Sequence, residues 1–235
     1  MPGSSGTSLA SSKSETIGGA ELLAPRPPVI WVQIRMEDSL AWCECDGRLV
    51  FLDVRADRYF QLSFDREMAF REARDNPEEK SRRQPSIFPL RAAWHTPTHA
   101  SQAIAHGPFN LADIAAAIWW QRRVERRLIS GSLYQTLLAL RDAQRRVATG
   151  VQSSEKRDRT LRAFQHARVL RTAADRCLPR SIALALRLAR DGLAAQLVIG
   201  VRTNPFGAHS WAQHEDEVLN DSVEEVLRFT PILIV

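Results

Sequence analysis

Pro179 stands third in a run of strong helix formers, Cys177 to Arg190, and proline is tolerated in a helix only within its first turn. The run therefore predicts a helix starting at Cys177, with Asp175 as N-cap and Gly192 as the C′ residue. That start places the Cys177 thiol at the positive end of the helix dipole, which favours its anion. A thiol attacks a carbonyl only as thiolate. An imidazole within reach is a second device that produces one, and His209 can supply it as base and ion-pair partner.

Downstream, Ala195 to Val201 reads as a buried strand and Arg202 to Gly207 as a loop. Ala208 to Gln213 and Val218 to Asp221 read as a hairpin around His214-Glu215-Asp216-Glu217. Register decides what this hairpin can do. A two-residue loop would set Asp221 opposite Ser210, facing away from His209. A three-residue loop, Glu215 to Glu217, sets it opposite Trp211 and on the face of His209. The odd-length loop, with a bulge, is the expectation. Taken singly, a cysteine behind a helix start is most often a small core hydrophobe, and a histidine in a strand is most often structural. Cys177, His209 and Asp221 in these contexts and in this order form a nucleophile, base and orienting-acid constellation.

The segments that carry this constellation, Cys-Leu-Pro-Arg-Ser at 177–181, Val198-Ile199-Gly200-Val201, Asn204-Pro205-Phe206, Ala208-His209-Ser210-Trp211 and Leu219-Asn220-Asp221, resemble the transglutaminase-like peptidase domain of lasso-peptide biosynthesis B proteins. The resemblance spans about residues 160 to 235. It implies a transglutaminase-like, papain-like cysteine peptidase that removes the leader from a ribosomal precursor peptide. Cys177 would be the nucleophile, His209 the general base and Asp221 the orienting acid. The freed core peptide would pass to an asparagine-synthetase-like cyclase that uses ATP, and the peptidase itself would need no cofactor. Two departures stand out: the turn at 214–217 has no glycine, and Ser210 replaces the commoner alanine.

The 235 residues suffice for one large or two small domains, and the apolar fraction, 44%, is that of an ordinary globular protein. No run approaches 18 uninterrupted apolar residues, and the N-terminus has no apolar h-region, so neither a membrane span nor a secretory signal is expected. Three cysteines, an odd number, argue for a reducing compartment; a bacterial cytoplasm fits the resemblance. The net charge of +5 suits an anionic partner, an acidic peptide or nucleic acid.

Residues 1–28, rich in Ser, Gly and Pro, read as a disordered tail. Val29 to Ile34 reads as a short leading strand. Leu40 to Cys45, the turn Asp46-Gly47, Arg48 to Val54 and Tyr59 to Leu62 read as a small antiparallel meander. The pattern at 47–54 and 58–62 looks like the precursor-recognition element, similar to the small PqqD protein, that precedes the peptidase in fused B proteins. It implies that the leader adds as a strand to a sheet edge, and Tyr59, Phe60, Gln61 and Leu62 are the expected edge. The plain alternative is a sheet that only packs on the peptidase. Cys43 and Cys45 have a poor zinc spacing and read as packing residues. Residues 65–86 are charged, a helix and then a solvated linker. His95, His99 and His106 fall in a polar loop, and Pro97 argues against a helical metal pair.

Leu111 to Leu128 reads as a helix capped by Asn110, with Leu111, Ile114, Ala115, Ile118 and Trp119 on its apolar face. Its arginines 122, 123, 126 and 127 read as a solvated end. Leu133 to Arg146 and Arg159 to Thr172 read as two more helices, with a polar break at 150–158. The whole is an α+β chain: tail 1–28, recognition module and connector 29–90, peptidase domain 91–235 with its core at 160–235. The expected function is a leader-removing cysteine peptidase without metal, membrane or nucleic-acid partner. The alternatives are acyl transfer to an amine, a non-catalytic leader-binding scaffold for the cyclase, and nucleic-acid binding, which would weaken steeply with salt.

Overall fold

The computed structural model describes residues 39–76, 94–101, 109–147, 154–171 and 176–235. The expected tail, the leading strand at 29–34, Asp175 and His106 lie outside them.

The first described elements form the expected meander: β1 (Leu40–Cys45), β2 (Arg48–Asp53) and β3 (Arg58–Phe60), antiparallel in the order β1-β2-β3. Asp46 and Gly47 both take positive φ, 50° and 76°, which matches the strand twist across a two-residue turn. Strand alternation then gives the sheet two different faces. Trp42, Phe51 and Phe60 face α1 (Phe64–Asp75), where Phe70 meets Trp42 and Phe51 edge-on. Glu67 of this helix is buried; its carboxylate accepts from the Leu49 N–H at 3.2 Å, Arg48 Nε at 3.0 Å and Arg71 Nη2 at 3.0 Å. The other face, Ala41, Cys43, Cys45, Val50, Leu52 and Val54, belongs to the same buried core as the C-terminal half of the chain.

That half is a five-stranded sheet with its four long helices on one side. Its strands are β4 (His99–Ala100), β5 (Gln196–Thr203), β6 (Phe206–His214), β7 (Glu217–Val218) and β8 (Thr230–Ile234), in the order β4-β7-β6-β5-β8. Only the β4–β7 pair is parallel. The helices are α2 (Leu111–Ser130), α3 (Leu133–Arg145), α4 (Ser154–Leu170), α5 (Cys177–Arg190) and the short α6 (Val223–Val226). α5 is the hub: Ile182, Ala183, Leu184, Ala185 and Leu188 are buried, and a helix apolar on nearly all sides must be surrounded. α2, α3 and α4 surround it on the side away from β6. A second core on the opposite sheet face gathers Val198, Trp211, Val218, Val226, Phe229 and Ile234.

Several expectations at element level are corrected. The supposed loop at 202–207 is the hairpin itself: Thr203 pairs with Phe206, and only Asn204 and Pro205 connect β5 to β6. The β6–β7 loop has two residues, with His214 opposite Glu217, where three were expected. The helix expected at 159–172 starts five residues earlier, at Ser154, and ends at Leu170. In α2 the buried face is Ile114, Ala117, Gln121 and Val124, whereas Leu111, Ala115 and Trp119 face solvent. Asn110 caps it as expected, accepting from the Ala112 and Asp113 N–H groups.

Candidate active site

α5 begins where Pro179 requires it to begin. Arg176 is the N-cap residue and offers no side-chain acceptor to the first turn of the helix, in which Cys177 is the first residue. At the far end Gly192 takes φ 95°. Its N–H bonds to Ala189 O at 3.2 Å and the Leu193 N–H to Leu188 O at 2.9 Å, the Schellman closure expected of a C′ glycine.

The three residues singled out in sequence meet at this helix start. His209 comes from the first half of β6. Its Nε2 lies 2.9 Å from Asp221 Oδ2, and its ring packs 5.1 Å from that of Phe229. Nδ1 is thus left for the Cys177 thiol, which interacts with the imidazole and with Ser210. All three side chains are largely shielded from water, His209 with 17% and Asp221 with 14% of the side chain exposed.

Asp221 reaches His209 by a route that strand register does not provide. The two-residue loop would have turned it to the wrong face. Regular pairing stops at Val218, however. Leu219 N–H still bonds to Ala212 O, but the Ala212 N–H is taken by the Asn220 side chain, Oδ1 at 2.8 Å. The chain thereby leaves the sheet at Asn220, and Asp221 is freed from the alternation. Asp221 Oδ1 also accepts from the Ser222 N–H at 2.9 Å, and Ser222 caps α6.

Asn220 and Ser181 had no assigned role in the sequence. Asn220 Nδ2 donates to Ser181 Oγ at 2.9 Å, and Ser181 Oγ donates to Ser210 O at 2.9 Å. This buried clasp joins α5 one turn after Cys177, β6 next to His209, and the residue before Asp221. Its signal in the sequence is a serine inside an otherwise apolar helix stripe: a buried hydroxyl needs a partner.

The electrostatics favour a thiolate–imidazolium pair. Burial pushes the Cys177 thiol up, but the neighbouring His209 and Ser210 outweigh it and bring the thiol below its ordinary value. Burial pushes His209 down, but the hydrogen bond to Asp221 and the neighbouring Cys177 prevail and raise it to about 9. For Asp221 burial again opposes ionisation, and the His209 bond, the Ser222 N–H and nearby Arg168 hold the carboxyl below the usual range. Such a site can form and hydrolyse a thioester without a metal. Among the described residues no three His, Cys, Asp or Glu side chains cluster as a metal site.

The expected peptide edge is shorter than its sequence suggests. Tyr59 and Phe60 lie on β3, but Gln61 and Leu62 lie past its end, because Leu62 O is taken by Arg48 Nη2 at 3.1 Å and Ser63 starts α1. Tyr59 faces the C-terminal half: its ring meets that of Phe206, at the start of β6, at 5.7 Å. Burial, then the charges of Asp57 and Cys177, raise its hydroxyl's pKa. Asp46 in the β1–β2 turn accepts from the Thr203 hydroxyl at the other side of the same hairpin tip.

A family model described as the transglutaminase-like superfamily matches residues 115–234. A curated relative, the microcin J25-processing protein McjB of Escherichia coli, is 48% identical over 46 residues, 20% of this chain and 22% of that protein. The chain thus matches about a fifth of the length of that relative. No solved structure matches. No helix among the described residues is long and apolar enough to cross a membrane.

Proposed function

The chain belongs to the transglutaminase-like superfamily, and from that premise we propose that it is a cysteine peptidase that removes the leader from a ribosomal precursor during lasso-peptide maturation. The observation that carries this reading is the His209–Asp221 hydrogen bond beside Cys177 at the start of α5. Its similarity to a microcin J25-processing protein supports the substrate class.

In the proposed reaction His209 takes the Cys177 proton and the thiolate attacks the scissile carbonyl. The Cys177 main-chain N–H, at the helix start, donates to the oxyanion. His209 returns the proton to the departing amine, leaving a thioester. Water, deprotonated by His209, adds to that thioester, and collapse releases the acid and the thiol. Asp221 keeps the imidazole oriented and stabilises its cation throughout. No cofactor enters these steps. ATP would be used by an asparagine-synthetase-like cyclase that receives the core peptide.

The three-stranded sheet serves in this reading as a PqqD-like recognition element. The leader adds to the β3 edge at Tyr59 and Phe60, with Gln61 and Leu62 beyond it, and main-chain pairing supplies the affinity. A bacterial cytoplasm is the compartment that fits a free thiol.

The test is mass spectrometry of a precursor peptide from the same gene neighbourhood, incubated with this protein, its cyclase and ATP, wild type beside Cys177→Ala. Leader release lost in the variant is the expected result. Release that persists in the variant refutes the assignment of Cys177. Binding without cleavage by either protein would make the chain a delivery scaffold, and a product bearing an added amine would make it an acyltransferase.

A further inference from the structure

Four arginines surround the Cys177 end of α5: Arg168 and Arg171 at the end of α4 and beyond it, Arg176 and Arg180 at the start of α5. Glu125 of α2 accounts for two of them, meeting Arg171 Nη2 at 2.9 and 3.0 Å and Arg176 Nη1 at 3.7 Å. Arg168 approaches Asp221 Oδ1 at 3.9 Å, but that carboxylate is already held by His209 and the Ser222 N–H. Arg180 has no carboxylate within bonding distance among the described residues. Among the described residues its one hydrogen bond is from Nη2 to Arg171 O, 3.1 Å, and its buried Nε finds no acceptor.

A half-buried guanidinium without an anion is costly, and a purely structural position would be served better by an apolar side chain. Arg180 lies one helical turn from Cys177, at i+3, on the same side of α5. We propose that Arg180, with Arg168 beside it, forms a carboxylate-binding subsite next to Cys177 that selects substrate peptides carrying an acidic group near the reacting bond. That substrate rests on the peptidase reading above; the carboxylate preference itself does not. Burial first, and then the like charges of Arg168 and Arg171, lower the pKa of Arg180, while Cys177 and Asp221 act the other way. A bound carboxylate would relieve the net strain on the cation.

Alkylation of Cys177 tests this directly, because Cys43 and Cys45 are buried. Iodoacetate carries a carboxylate and iodoacetamide does not; the ratio of their rates at Cys177, read by mass spectrometry, is compared with the ratio at a free thiol. Wild type should favour iodoacetate by about tenfold over the free-thiol ratio, as a charge-assisted pair allows, and the preference should shrink as salt rises. Arg180→Gln should remove most of it and Arg168→Gln part of it. Arg168 is 52% exposed, so its variant keeps the fold should Arg180→Gln lose it. A wild-type ratio equal to that of a free thiol overturns the proposal, as does a preference that survives both substitutions, which the imidazolium alone would explain.

Protection from iodoacetamide by short blocked peptides separates the sources. Protection by a peptide amide with one internal aspartate assigns the site to a side chain, and protection by an all-glycine peptide acid assigns it to a chain terminus. No better protection by either than by the all-glycine amide overturns the subsite. A protein that shows the selectivity yet leaves every precursor uncut refutes the peptidase reading and not the subsite.

Discussion

Asn220 carries no reactive chemistry, yet its amide joins Ala212, Ser181 and, through Ser181, the carbonyl beside His209. Replacing it with alanine strands the buried Ala212 N–H, at about 1–3 kcal/mol for a group left unsatisfied, and leaves the Ser181 hydroxyl with only its bond to Ser210 O. Asn220→Ala should therefore lower the thermal midpoint, seen by calorimetry, and slow cleavage more than the stability loss explains, since Asp221 loses its anchor. Asp221→Asn should keep the fold and cut turnover by about 10³ to 10⁴, the scale on which an orienting acid acts through its histidine. The protonation states give a further expectation. Turnover should rise with pH through the lowered Cys177 value and fall as pH passes about 9, where His209 gives up its proton. Stability has its own signs. The raised His209 contributes fully below its unfolded value near 6.5 and ceases to contribute as pH rises through about 9. The lowered Asp221 contributes above the ordinary carboxylate value and ceases to do so as pH falls through its own. Urea titrations of wild type and Asp221→Asn across this range check both. At this scale the meeting of Cys177, His209 and Asp221 was legible because their types are few and their contexts ordered. Asn220 and Ser181 were not, because a polar residue announces a need for a partner without naming it.

Among the elements, helix α5 was legible because Pro179 and Gly192 act through local backbone geometry alone, although its N-cap is Arg176 and not the expected Asp175. Helix α2 was placed correctly but turned wrongly. Its buried face runs through Gln121, whose Oε1 accepts from Arg171 Nη1 at 3.4 Å, while Leu111 and Trp119 are 70% and 53% exposed. A reading based on hydrophobicity rotates the helix away from a buried amide and towards an exposed indole. The β6–β7 loop shows the opposite failure. Alternation requires an odd loop only if the strand continues to Asp221, and the Asn220 side chain ends it first. Strand β5 offers a test of packing. A Cβ at Gly200 would lie 2.8 Å from Phe229 Cβ and 3.0 Å from the Trp211 ring. Gly200→Ala should cost about 1–3 kcal/mol by overpacking, visible as a lower urea midpoint. Because Phe229 packs on His209, activity should fall with it.

For the molecule as a whole, the three-stranded sheet lies between α1 and the C-terminal half, with both faces covered. The alternation of Ala41, Cys43 and Cys45 was legible as a face, but what covers it was not, since the partner residues lie more than a hundred positions away. The sheet and the β5–β6 hairpin touch through Tyr59 and Phe206 and through Asp46 and Thr203. Phe206→Ala removes the first contact from a side chain already 55% exposed. It should leave the thermal midpoint within about 2 °C of wild type, as a surface change does, and raise KM for the full precursor severalfold. An unchanged KM would mean that the sheet takes no part in presenting the peptide.

The Ser181–Asn220 clasp has a consequence for how this protein fails. The nucleophile sits on one element and its partners on two others, and the same buried hydrogen bonds that align them also hold those elements together. A chain that has begun to open therefore loses its reactivity with its packing. On the proposed peptidase reading, damaged copies would be silent bystanders, not indiscriminate proteases, in the cell that makes them.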